Sequence, residues 1–164
     1  MKSVICAVAA ALCLLSTPGG AVAGETKSFN ATDSGTFTVT PVGPGVFLTQ
    51  DVGSGRASHI GSYTFVAEEL VNLATLQITN GSFTITARRG TISGTYFGTA
   101  AFGSTAGSIT WDVSGPITGG TGKFAGATGT ITYLGVGIFT GPTTGTLSEV
   151  ISGTLSLEGD ADDE

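Results

Sequence analysis

The chain is poor in the residues that most chemistry needs. It has two cysteines, one histidine, one tryptophan and one methionine in 164 residues, and only 11% of it is charged. Both cysteines, Cys6 and Cys13, fall in an apolar N-terminal run. Removal of that run leaves no disulfide, no thiol nucleophile and no thiolate metal ligand. A lone histidine, His59, cannot build a structural zinc site, and a catalytic metal would need at least two more ligands. No metal and no cofactor is therefore expected. The few cations form no basic stripe of the kind nucleic-acid binding requires, which sets nucleic acid aside as a partner. No repeat of fixed period appears, which argues against a solenoid. Serines are plentiful, but no G-x-S-x-G elbow accompanies His59. No catalytic residue is assigned.

The two ends differ from the body. Lys2 precedes the apolar run Val4 to Leu15, which Pro18, Gly19 and Gly20 interrupt before Ala21-Val22-Ala23. This is the pattern of a signal peptide over 1–23, cleaved near Ala23-Gly24. The run is shorter than the roughly 20 residues that span a bilayer. An uncleaved anchor is the alternative, and a secreted or periplasmic protein with no stable membrane span is the expectation. Leu12 before Cys13 argues against lipidation. Residues 158–164, Glu158 to Glu164, are acidic and read as a disordered tail. Residues 24–157 remain as one domain.

What that domain has is glycine, threonine and period-2 alternation. Glycine and β-branched residues both disfavour helix. Phe37 and Val39 alternate with threonines, as do Phe83 and Ile85, Ile109 and Trp111, and Ile131 and Tyr133. Turn signals punctuate these rows at Pro41 to Gly45, Asn80-Gly81, Arg89-Gly90, Gly103-Ser104, Gly119-Gly120 and Gly141-Pro142. Eight or nine strands on short turns imply an all-β antiparallel sheet. Closure as an eight-stranded β-barrel would remove the edges. A β-sandwich is the runner-up. Val66 to Asn72 is the one candidate helical turn, with Glu68 and Glu69 expected as a solvated pair.

Two segments carry a resemblance. Gly55-Arg56-Ala57-Ser58-His59-Ile60-Gly61-Ser62-Tyr63-Thr64 resembles a segment of small secreted bacterial proteins of unassigned function, which the later Gly81-Ser82-Phe83-Thr84-Ile85-Thr86 and Gly94-Thr95-Tyr96 also fit. Gly119-Gly120-Thr121-Gly122-Lys123-Phe124-Ala125-Gly126 resembles a second segment of the same proteins. It is also similar to the glycine-rich hairpin of plant dirigent proteins and of the allene oxide cyclase barrel. The resemblance implies an eight-stranded antiparallel barrel with an apolar interior. By analogy it also raises a homo-oligomer, since those plant proteins assemble as trimers. It carries no catalytic residue over.

The glycine-rich segment is not a phosphate loop, because Ile117 and Phe124 occupy positions that need glycine and Ser or Thr, and no helix follows. The expected role is a tight hairpin whose Phe124 plugs one barrel end. His59 is read first as a histidine tied to nearby backbone, and alternatively as the polar group of a cavity. Glu149 interrupts the row Leu147, Ile151, Leu155. A β-bulge turning it into water is preferred, and a buried carboxyl with raised pKa is the alternative. Tyr63, Tyr96, Trp111, Tyr133 and the phenylalanines are either core or pocket wall.

Three functions stay open. The first is non-catalytic binding of a small hydrophobic ligand, with His59, Tyr96, Trp111, Tyr133 and Glu149 as candidate contacts. The second is an enzyme of the cyclase or dirigent kind, which calls for a cavity with a buried carboxylate or histidine. The third is a structural or surface role for a filled barrel.

Overall fold

The computed structural model describes residues 25–157. The signal peptide and acidic tail assigned from sequence lie outside the described residues. Eight strands follow in chain order: β1 (Thr26–Gly43), β2 (Val46–Ala57), β3 (Gly61–Asn72), β4 (Gln77–Ala87), β5 (Gly90–Phe102), β6 (Ser108–Gly120), β7 (Thr128–Phe139) and β8 (Thr144–Ser156). Each pairs antiparallel with the next, and β8 returns to β1 to close a barrel. The sandwich alternative is thereby set aside. The closing seam runs without a break from Thr26↔Ser156 to Thr38↔Thr144.

Alternation places small and aromatic residues inside and threonine outside. Along β8, Leu147, Glu149, Ile151 and Leu155 point inward and Val150 outward. Two sequence readings are corrected here. Val66 to Asn72 is the second half of strand β3, not a helical turn. Its inward row, Tyr63, Phe65, Ala67, Glu69 and Val71, has the strand period. Asn80-Gly81 is not a hairpin turn but lies within β4, where Asn80 takes φ 55°. There one residue of β3, Glu69, faces both Asn80 and Gly81, a β-bulge.

The two barrel ends are unlike. At one end, Phe29, Ile92, Phe124, Ile131 and Leu155 are each 1% exposed and fill the cross-section. Phe124 arrives there on a short 3-10 turn, Gly122–Phe124, between β6 and β7. Burying its ring contributes roughly 1.5–3 kcal/mol. The expected plug is thus observed. At the other end, the inward side chains of Val39, Thr49 and Ile109 are only partly covered. That end is the mouth.

Candidate functional site

Between plug and mouth the interior is mostly apolar, as the resemblance implies, but a cluster of carboxyls interrupts it. Four carboxyls point inward from four neighbouring strands: Glu149 on β8, Asp33 on β1, Asp51 on β2 and Glu69 on β3. Opposite them, β4 to β7 supply Phe83, Tyr96, Trp111 and Tyr133. One wall is acidic and the other aromatic. The three rings of Phe83, Tyr96 and Tyr133 pack on each other with centroids 5.8–6.5 Å apart.

Three of the carboxyls are paired in the same way. Tyr63 donates to Asp33 Oδ2 at 2.8 Å, Tyr96 to Glu69 Oε2 at 2.6 Å, and Trp111 Nε1 to Glu149 Oε1 at 2.6 Å. In each case a glycine on the strand between leaves the room. Gly55 lies between Asp33 and Tyr63, and Gly135 lies between Trp111 and Glu149. Gly81 sits beside Tyr96 at the Glu69 bulge. A Cβ on Gly81 would overlap the Tyr96 ring, and one on Gly135 the Trp111 ring. The glycine content is explained here by aromatic rings that lie flat across the sheet rather than by turns alone.

Asp51 breaks the pattern. It stands opposite Phe37 on β1 and Ala67 on β3, and its Oδ1 has no hydrogen-bond partner. The hydroxyl of Tyr133, a residue 7% exposed, is also unpartnered. Asp33 and Glu149 face each other across the seam. Asp33 Oδ1 has no hydrogen-bond partner either, and the two carboxyls act on each other's protonation.

Desolvation governs the protonation of this cluster. Burial pushes Asp51 up to about 9, with the charges of Glu69, Glu149 and Asp33 adding to it. Burial lifts Glu149 to about 8; Asp33 adds to this and the Trp111 bond opposes it. Burial lifts Glu69 to about 7 against the Tyr96 hydrogen bond. Asp33 is raised by burial, with the Tyr63 bond pulling down. Tyr63, Tyr96 and Tyr133 are all raised, first by burial, and keep their protons at neutral pH.

The space between the walls has two connected parts. The deep part, bounded by Asp51, Glu69, Tyr96, Tyr133 and Glu149, has a volume of about 450 Å³. The outer part, about 420 Å³, is walled by Phe37, Val39, Val71, Ile109 and Phe139 at the mouth. Both figures include space open to solvent; the room left for the centre of a water-sized sphere is only about 30 Å³ in the deep part and about 50 Å³ in the outer part, and the two parts share Asp51, Glu69, Ile78 and Trp111.

Of the residues expected at the site, Tyr96, Trp111, Tyr133 and Glu149 are brought together. The preferred bulge at Glu149 is absent, since the β7–β8 register is continuous through Gly135↔Glu149 and Val150 is 59% exposed. His59 is elsewhere. It occupies the exposed β2–β3 turn at the plugged end with φ 67°, its Nε2 3.1 Å from the Ser28 carbonyl oxygen. Its first reading, a histidine tied to nearby backbone, is the one observed. Glu69, expected as half of a solvated pair, is 8% exposed; only Glu68 faces water. Asp33 and Asp51 were not anticipated from sequence, and Tyr63, expected as core or pocket wall, is the donor to Asp33. Counting by twos from Phe29 or from Tyr63 puts Asp33 and Glu69 in inward rows, the one signal that would have found them. Among the described residues no three His, Cys, Asp or Glu side chains are placed to hold a metal ion. No helix among them is long and apolar enough to cross a membrane.

Fold and site together define a closed eight-stranded antiparallel barrel with an acid-lined interior. No family model matches the chain, and no curated protein matches it. Among solved structures it is similar to the pterocarpan synthase dirigent protein GePTS1. Identity is 12%, the TM-score is 0.31, and the match covers 85% of this chain and 90% of that one. The barrel assignment rests on this chain's own strand pairing.

Proposed function

We propose that the barrel holds one small molecule, entered from the mouth, with its apolar part in the outer chamber and a polar group among the deep carboxyls. The observation that carries this reading is the set of three buried polar atoms without a hydrogen-bond partner, Asp51 Oδ1, the Tyr133 hydroxyl and Asp33 Oδ1. Buried polar atoms are rarely left unpaired, because each costs about 1–3 kcal/mol, and such gaps mark places where something else binds. The sequence-based expectation of a hydrophobic ligand is narrowed accordingly: the molecule is amphiphilic. The N-terminal run supports a protein that meets this molecule after export.

Acid–base catalysis on the bound molecule is the second reading. It is favoured by Asp51 and Glu69, whose values of about 9 and about 7 separate a proton donor from a group that can accept one. A titration of the full chain with small amphiphiles, followed through Trp111, tests the first reading. Saturable change is the expected result, and a flat response across the panel overturns it. For the second, deuterium uptake from D₂O into a bound probe is expected, lost in Glu69→Gln and in Asp51→Asn.

A further inference from the structure

Charge is segregated along the barrel axis. Every described lysine and arginine is exposed at the plugged end: Lys27 at the start of β1, Arg56 at the end of β2, Arg88 and Arg89 in the β4–β5 turn, and Lys123 beside Phe124. None stands at the mouth or points inward. The four inward carboxyls therefore face the open end with no cation of the fold beside them. Clefts lined by one sign of charge between low-dielectric walls focus field lines and draw in the opposite charge. Here that field appears only as the inner carboxyls give up their protons, and a cation at the mouth then meets no opposing charge of the fold.

Tyr63, Tyr96 and Trp111 each give their proton to a carboxyl, so none of these three is left to donate to a bound molecule. Beyond the acidic cluster itself, the Tyr133 hydroxyl, nine-tenths buried and unpartnered, lines the same chamber. Phe83, Tyr96, Trp111 and Tyr133 line the chamber across from the carboxyls, and aromatic rings attract positive charge placed over a face. The carboxyls do not converge on a point where three would share a metal ion. The charge that fits is spread over an organic group.

From this geometry we infer that the interior accepts one small organic cation, an ammonium group on an apolar or aromatic body, seated at Asp51 between the acidic and aromatic walls. The inference rests on the ligand-holding reading above and names the class of ligand. Binding is coupled to ionisation. Asp51 and its neighbours Asp33, Glu69 and Glu149 hold protons more tightly than ordinary carboxyls in the unliganded barrel, and an entering cation displaces them. The other titratable groups facing the chamber, Tyr63, Tyr96 and Tyr133, stay protonated. No Lys, Arg or His faces it.

Calorimetry and Trp111 fluorescence with three probes of matched body test this: phenethylammonium, 2-phenylethanol and 3-phenylpropionate, at pH 7 and low salt. The ammonium should bind at least tenfold more tightly than the alcohol, and the carboxylate least. Heats measured in buffers of different ionisation enthalpy should report protons released. Asp51→Asn should erase the tenfold preference while keeping alcohol binding, with Tyr133→Phe and Glu149→Gln measured alongside should that variant fail to fold. Equal binding of ammonium and alcohol, or tighter binding of the carboxylate, overturns the cation inference and leaves the ligand-holding reading standing. Silence from all three probes removes both.

Discussion

Trp111 on β6 donates its indole proton to Glu149 on β8 across an intervening strand, over Gly135. The same relation recurs where Tyr63 reaches Asp33 over Gly55, and where Tyr96 reaches Glu69 past Gly81. A side chain on the intervening residue would block each reach. The interior acids are therefore held by three aromatic donors that the glycines let lie flat, and Asp51 is the one left over.

Gly135→Ala should expose this dependence. The new methyl would overlap the Trp111 ring, so the ring must tilt and its bond to Glu149 lengthen or break. A loss of about 1–3 kcal/mol in urea unfolding is expected, with a shifted Trp111 emission maximum. An unchanged spectrum and midpoint would contradict the packing described.

Stability should fall as pH rises. Asp51, Glu69 and Glu149 keep protons in the fold up to about 9, 7 and 8, against ordinary values of 3.8, 4.5 and 4.5. From about pH 4 to about pH 9 the native state therefore binds more protons than the unfolded chain, and each such group makes unfolding easier with every added pH unit. The decline is steepest from about pH 5 to 7, where all three contribute. The stability is fully present near pH 4 and lost on the alkaline side. Asp51→Asn should raise Tm at pH 8 and change it little at pH 4.5. A wild-type Tm that climbs between pH 5 and pH 8 would count against the buried cluster.

Tyr96→Phe removes the donor to Glu69 Oε2 and should cost about 1–3 kcal/mol. Because that hydrogen bond pulls the Glu69 pKa down, its loss should move the Glu69 carbon-13 titration to higher pH. A shift to lower pH would show that Tyr96 does not serve this carboxyl.

The plug and the turn at His59 should separate from the site. Phe124→Ala is expected to cost about 3–5 kcal/mol, as a buried ring at 1% exposure. His59→Ala should stay within about 1 kcal/mol and leave probe binding unaltered, because His59 lies in an exposed turn away from the chamber. Weakened binding in His59→Ala would place the ligand at the wrong end of the barrel.

The barrel was readable from sequence because its strands alternate cleanly where inward residues are large: Phe37 and Val39, Phe83 and Ile85, Ile131 and Tyr133. The plug was readable too, since Phe124 is a large apolar residue set among glycines. The site was harder to see, for physical reasons. On β2 the inward residues after Phe47, namely Thr49, Asp51, Gly53, Gly55 and Ala57, contain no large apolar side chain, so Phe47 alone marks the row of Asp51 as inward. On β3 two adjacent glutamates imitate a solvated helix, while the bulge at Asn80 is a property of the pairing and leaves no mark on β3 itself. At Glu149 the row was read correctly, but a lone carboxylate without a visible partner argued for water. Its partner, Trp111, is 38 residues away. The two main segments that carry the family resemblance lie at the plugged end, where the Arg89 side chain donates to the His59 carbonyl and the Lys123 backbone N–H to the Arg89 carbonyl. The pattern between them brings Phe83, Ile85 and Tyr96 to the chamber wall and none of the four carboxyls.

The seam between β1 and β8 has a consequence for the order of folding. It is the one strand pair not joined by a turn, and Thr26 meets Ser156 across 130 residues of chain. Contacts so distant in sequence are slow to form. Asp33 and Glu149 ride on these two strands and meet only when the seam zips. Before that moment both are ordinary ionised carboxylates in water; afterwards they lie together in a dry interior. Closing the barrel is thus a proton-consuming step, and its refolding rate should quicken under mild acidity.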